Sequence, residues 1–417
     1  MKPRLSLLTV ALGLWLISSS LTFEKVCNPF SISDIGSGLL LLLLGGLSLS
    51  PKRGWPIWAV GLVGVWLQMA PLVFWARSPW MYINDTLVGV IAIIFSFLFA
   101  KTEQDVTVRR IPTGWSYNPS GWSHRIPTVT LAILCWFFAR YMAAFQLGYI
   151  DQIWDPFFKG GTLHVITSQI SKDFPVSDAG LGALCYTLES ILGWQGGTQR
   201  WRAMPWLVLA FAFLVIPVGV VSVTLIILQP VVVGAWCSWC LGTAASMLIM
   251  IVLTAGELAA VLQFLSEAKA RGDRVWQVVW QGEYFGKKTG RDPPSVKEKG
   301  ICGVTFPWNL VVSIAVGSWL MASPSLLQIT GALAMSNFIL GPMILAFSVI
   351  ALSEVFRAVR FVNIPLGLGL ILVPCFLSSS PLVAIGNNSV SGLLVIALAW
   401  RKGKISQCYG AWENFIF

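Results

Sequence analysis

Trp236-Cys237-Ser238-Trp239-Cys240-Leu241 opens the stretch WCSWCLGTAASMLIMIVLTAGELAAVLQF, residues 236–264, which carries one carboxylate, Glu257, and no basic residue. A helix of about 20 apolar residues crosses the hydrocarbon core of a bilayer, so this run is long enough to span it. Working outward, eleven further apolar runs lie near 5–22, 36–50, 56–75, 83–100, 127–147, 179–195, 204–228, 308–322, 331–354, 362–378 and 388–400. Over all 417 residues, 56% are hydrophobic and 11% charged, against about 25% charged in soluble domains. That balance excludes a water-soluble globule and a disordered chain. The expectation is an all-α polytopic membrane protein of about 12 transmembrane helices. The 21 Trp residues suit rings placed at bilayer interfaces.

The net charge of +10 does not point to nucleic acid, because the basic residues fall in short loops between apolar runs. Lys2 and Arg4, Lys52 and Arg53, Lys101 to Arg125, Arg200 and Arg202, segment 266–306 (eight Lys/Arg against five Asp/Glu), Arg357 and Arg360, and Arg401 to Lys404 all share one side if there are twelve spans. Loop 148–178, on the other side, holds Asp151, Asp155, Asp173 and Asp178 against Lys159 and Lys172. This bias places both termini in the cytoplasm, in a bacterial inner or plasma membrane. The basic segment 266–306 is expected to meet anionic lipid heads.

A two-span unit occurs four times. Trp15 precedes Asp34 by 19 residues, and Trp66 precedes Asp85 by 19; Gly38 and Gly89 each follow their Asp by four. Trp319, Asn337 and Gly341 repeat the pattern, and Leu370, Asn388 and Gly392 follow 51 residues on. The Asp or Asn is expected to cap the second helix of each unit, and the Gly to permit close helix approach. Ser78-Pro79-Trp80 and Ser323-Pro324 are placed in loops. These units resemble the SPW-repeat family of small membrane proteins, which implies membrane location and plain helical-hairpin packing.

Two Cys three apart at a helix start lie close enough for a disulfide, and a helix N-terminus favours the thiolate. Pro230 and Gly234 predict a break just before Cys237 and Cys240. The bland alternative is two small packing residues. A metal site is not expected, since His124 and His164 are the only histidines and no second Cys/His pair lies nearby.

Four spans, a long loop after the first and Trp-Cys-x-x-Cys-Leu opening the fourth resemble vitamin K epoxide reductase. Residues 155–189, DPFFKGGTLHVITSQISKDFPVSDAGLGALCYTLE, are similar to that family's loop and second span in their V-x-x-S, Pro-Val, Gly and Tyr positions. The resemblance implies a central four-helix bundle around a quinone, flanked here by two pairs of helical hairpins. It implies that Cys237 and Cys240 are the membrane redox pair, with Cys240 nearer the quinone, and that a thioredoxin-like protein is the outer partner. The departure is that loop 148–178 holds no cysteine: Gly160-Gly161-Thr162 stands where the family's loop Cys would precede V-x-x-S.

On this reading the chain divides into two SPW-like repeats (1–100), a cytoplasmic linker (101–126), the four-helix core (127–264), a basic segment (265–307), two further repeats (308–404) and a tail (405–417). Candidate quinone-contacting residues are His164 in the loop, Arg140 and Glu189 within spans five and six, and Tyr186. Arg140 and Glu189 are deep enough to pair with each other. Cys27 is the candidate stand-in for a relay thiol, and Cys185 for a third thiol near the pair. Cys135 and Cys375 are read as mid-span packing residues, and Cys302 and Cys408 as reduced and cytoplasmic. The expected activity is a quinone-linked thiol/disulfide oxidoreductase. The alternatives are a catalytically degenerate relative that binds quinone or lipid or acts as a scaffold and, last, a transporter.

Overall fold

The computed structural model describes residues 2–23, 28–49, 54–100, 111–283, 301–376 and 381–416. Cys27, the basic residues at 52–53 and 101–110 and most of the basic segment, 284–300, lie outside the described residues. Among the described residues there is no β-strand, and eleven helices are long and apolar enough to cross a membrane. The principal helices are α1 (Lys2–Phe23), α2 (Pro29–Leu47), α3 (Trp55–Val73), α4 (Pro79–Ala100), α5 (Trp122–Gln146), α6 (Gly161–Ile166), α7 (Asp178–Trp194), α8 (Pro205–Leu228), α9 (Ser238–Ala270), α10 (Trp308–Leu326), α11 (Gly331–Ile350), α12 (Asn363–Leu372) and α13 (Leu382–Ala399). The sixth expected span corresponds to α7, which has 17 residues, still enough for a thin or local crossing. The eleventh is not one α-helix: a 3-10 turn at Arg357–Val362 leads into α12, and another at Val373–Phe376 leaves it. α9 runs unbroken past residue 264 to Ala270.

The chain forms two compact units: residues 1–104, 133–154 and 166–191 make one, and 105–132, 155–165 and 192–417 the other. Each contains one set of repeats. In the first, α1–α2 and α3–α4 are close hairpins around Leu16, Leu41, Leu67 and Ala92. In the second, α10–α11 and α12–α13 pack the same way around Leu320, Ile344, Leu370 and Val395.

The repeat signature marks the crossings. A Cβ at Gly13 would sit 2.6 Å from the Gly38 carbonyl oxygen, and one at Gly64 2.7 Å from that of Gly89; the second unit repeats this with Gly317 on Gly341 at 2.9 Å and Gly367 on Gly392 at 2.8 Å. Backbones at this separation leave room for hydrogen only, the packing that small residues provide where lipid removes the hydrophobic drive between helices. The indoles of Trp15 and Trp319 donate to Asn84 at 2.9 Å and Asn387 at 2.8 Å, tying the first helix of each set to the last.

Two expectations about the repeats need correcting. Asp34, Asp85, Asn337 and Asn388 do not cap helices; all four lie inside α2, α4, α11 and α13 and are buried. Their side chains face the bundle because each lies one helical turn from a crossing glycine. Ser323-Pro324 is not in a loop but in the last turn of α10, the place Ala70-Pro71 takes in α3. Both helices then end alike: Trp75 (φ 49°) and Gln328 (φ 52°) take left-handed backbone, and Ala76 and Ile329 donate back to the Pro71 and Pro324 carbonyls, each at 2.9 Å.

In the second unit, α8 and α9 pack together, joined by a π-helical turn at Gln229–Val233 and by Gly234, whose φ of 72° needs glycine. The helix thus runs through Pro230 to Val233 and breaks at Gly234, just before Cys237. Within α9, buried Glu257 accepts from Arg200 Nε at 2.6 Å and Nη2 at 2.5 Å, and also from the Ser120 hydroxyl. Arg125 donates to the carbonyls of residues 193–197, which α7 leaves unpaired as it ends. The chain end is ordered by Glu354, which accepts from Ser406 N at 2.9 Å, Gln407 N at 3.1 Å and Tyr409 Oη at 2.8 Å.

Candidate functional site: a disulfide at the start of a membrane helix

The turn before α9 positions the cysteines. Cys237 has extended backbone (φ −107°, ψ 116°) and is the N-cap of α9. Its N–H donates to buried Gln229 Oε1 at 2.9 Å, and its sulfur accepts from Cys240 N at 3.1 Å. The two cysteines are joined as a disulfide with Cα atoms 5.3 Å apart. Cys237 is fully buried and Cys240 half-buried. The sulfur of Cys237 thus meets one of the N–H groups that a helix start leaves unpaired, which favours thiolate when the bond is open.

The loop 155–165 closes against this turn. Asp155 Oδ1 accepts from Phe157 N at 3.1 Å, Phe158 N at 3.0 Å and the Ser238 hydroxyl, and Oδ2 accepts from Thr162 N at 2.7 Å. Burial works against the charge of Asp155, but the bonds from Ser238, Phe158 and Thr162 outweigh it and hold the carboxyl well below the usual carboxylate range. Gly161 lies against the Trp236 carbonyl, where any Cβ would overlap it. Sequence reasoning did not single out Asp155, Ser238, Gln229 or Gly161 as a set. The only signal was that the stretch similar to the family starts at Asp155.

The other expected residues divide between the two units. His164 is exposed on α6, in the same unit as the cysteines. Trp154 and Phe157 are exposed, as interfacial anchors are. Arg140, Tyr186 and Glu189 belong to the first unit. Arg140 does not pair with Glu189. Its guanidinium lies 3.8 Å over the Tyr82 ring and donates to Thr86 Oγ1 at 3.2 Å, both on α4. A half-buried Arg gains a ring face and a hydroxyl there without desolvating a second charge. Glu189 is fully buried, and among the described residues neither carboxyl oxygen has a hydrogen-bond partner. Tyr186 is buried one turn earlier on α7. Cys135, Cys185, Cys302, Cys375 and Cys408 stand outside the disulfide; Cys135 is buried, while Cys375 is exposed and lies in the 3-10 turn after α12 rather than mid-span. Among the described residues no group of His, Cys, Asp and Glu is arranged to hold a metal.

This is an integral membrane protein whose thiol pair sits at a helix start. Residues 126–255 match the model of the vitamin K epoxide reductase family, and residues 4–98 and 307–402 match that of the SPW repeat domain. The chain therefore carries a vitamin K epoxide reductase family domain set between two SPW repeat domains. No curated protein matches the chain, and no solved structure does.

Proposed function

We propose that the protein is a quinone-linked thiol/disulfide oxidoreductase in which Cys237 and Cys240 are the redox pair. The observation that carries this reading is the disulfide in the first turn of α9, with the Cys237 sulfur on a helix-start N–H. The family match supports thiol oxidoreductase chemistry. In the forward direction the dithiol loses two electrons and two protons as the sulfur–sulfur bond forms, and a quinone is the two-electron acceptor. Gln229 fixes the backbone of Cys237, so the two sulfurs stay in bonding register. Glu189, buried and with no hydrogen-bond partner among the described residues, is a proposed quinone contact. Tyr186, Arg140 and His164 remain proposed contacts. With both termini cytoplasmic, the pair faces the outer side of a bacterial inner or plasma membrane, where a thioredoxin-like protein is the proposed partner.

The test is thiol trapping of the purified protein in nanodiscs, with free thiols blocked and the pair then reduced. Adding menadione or decyl-ubiquinone should convert the wild-type dithiol to a disulfide, and Cys237→Ala and Cys240→Ala should each abolish the conversion. A pair that stays reduced, or a disulfide that never opens, favours the second reading: a degenerate relative that binds quinone or lipid or acts as a scaffold. The absence of a thiol at Gly160-Gly161-Thr162 is what speaks for that second reading.

A further inference from the structure

Two contacts of the 155–165 loop bracket Cys237. Gly161 presses on the carbonyl of Trp236, the residue before it, and Asp155 binds the hydroxyl of Ser238, the residue after it. The same carboxylate gathers the loop through Phe157, Phe158 and Thr162. Cys237, between those two contacts, has no exposed surface, while Cys240 keeps some. Residues 155–165 carry no thiol of their own.

We propose that Asp155 is a positioning residue: it pins residues 155–165 as a lid over Cys237, denies that sulfur to water-borne thiols, and leaves Cys240 as the sulfur at which exchange occurs. The inference rests on reading the pair as a redox centre. Exchange needs a thiolate to reach a disulfide sulfur. At an open Cys237 the incoming thiolate would bond to its sulfur, and Cys240 would leave as thiolate and take up a proton. A second thiol would then displace Cys237. In sum, two external thiols become one external disulfide while the protein gains two thiols. The lid blocks the first step. The pair is then open to exchange at Cys240 alone.

The experiment uses the full-length oxidised protein in nanodiscs with its free thiols blocked. Glutathione and menadiol are compared as reductants, and the opened pair is counted by maleimide mass tagging. Asp155→Asn and Ser238→Ala should each speed glutathione reduction about tenfold or more, as expected from losing a hydrogen bond to a charged group. Menadiol reduction should stay at the wild-type rate. Gly161→Ala lifts the lid from its other end and should act in the same direction, which covers a folding failure of either other variant. Unchanged glutathione rates across the folded variants would overturn the lid. Equal acceleration of both reductants would overturn it as well, since that reports general loosening. If menadiol fails on every form while glutathione still gains, the quinone reading falls and the lid stands.

Discussion

Four donors meet the Asp155 carboxylate: two loop N–H groups and a hydroxyl on one oxygen, and a third N–H on the other. Hydrogen bonds to an ionised acceptor are the strong ones, so this one side chain organises the loop more than its aromatics do. Its pKa is held below the ordinary Asp value of about 3.9. A depressed carboxyl contributes stability that is fully present above the unfolded pKa and is lost as pH falls through the folded one. The latch is therefore intact across the neutral range. Glutathione reduction of the wild type, normalised to thiolate concentration, should be flat between about pH 5 and 8, and a slope there in wild type that Asp155→Asn removes would show the latch titrating. At the same scale, Arg140 shows how an intramembrane cation finds its partner. Its position in an apolar run was visible, but its choice of Tyr82 over Glu189 was not, because the choice depends on α4 lying beside it.

At the scale of the helices, glycine has opposite meanings at different places. Gly64→Ala would put a methyl 2.7 Å from the Gly89 carbonyl oxygen, and backbone cannot step aside as a side chain can. The α3–α4 crossing must open, at a cost of about 1–3 kcal/mol. Gly386, on α13, has nothing within 4 Å of its would-be Cβ. Gly386→Ala should therefore be neutral or stabilising, by up to about 1 kcal/mol, from helix propensity alone. Thermal unfolding in detergent would check both, and equal losses would mean that the crossings are not the tight points. The repeat spacing puts Gly38, Gly89, Gly341 and Gly392 in register and assigns them to close approach, while their partners Gly13, Gly64, Gly317 and Gly367 come only from the structure. The neighbouring Asp and Asn were misplaced as caps because composition near a helix start looks the same for a cap and for a residue a turn or two inside. Where each helix began was the least legible feature of the sequence.

For the whole molecule, the buried ion pair of Glu257 and Arg200 joins a mid-chain turn to α9, and its side chains are almost wholly sealed from solvent. Removing one partner strands the other charge. Glu257→Gln should lose about 3–5 kcal/mol, and adding Arg200→Met to it should recover part of that loss. A melting series of the two variants and wild type tests this, and a double variant no better than the single would place the loss elsewhere. The same principle explains why the C-terminal segment is ordered. Glu354 takes its hydrogen bonds from Ser406, Gln407 and Tyr409, and burial, with Tyr117 and Glu354 beside it, pushes the Tyr409 phenol above its usual range so that it stays a donor.

The sequence by itself determined the class of molecule. Apolar runs of bilayer length, a 51-residue repeat and a Trp-Cys-x-x-Cys-Leu helix start are local patterns, and locality is what a linear chain can express. It also determined that Cys237 and Cys240 can meet, since a separation of three along a helix start fixes their spacing. Only the tertiary structure decided which sulfur is covered, which carboxylate latches the loop, and that Arg140 turns to a ring rather than to Glu189. Those outcomes depend on segments some 50 to 140 residues apart in sequence, joined by bonds such as Asp155–Ser238, Arg140–Thr86 and Ser120–Glu257. Which distant donor reaches a buried acceptor is set by how the helices pack, and no spacing rule along the chain carries that information.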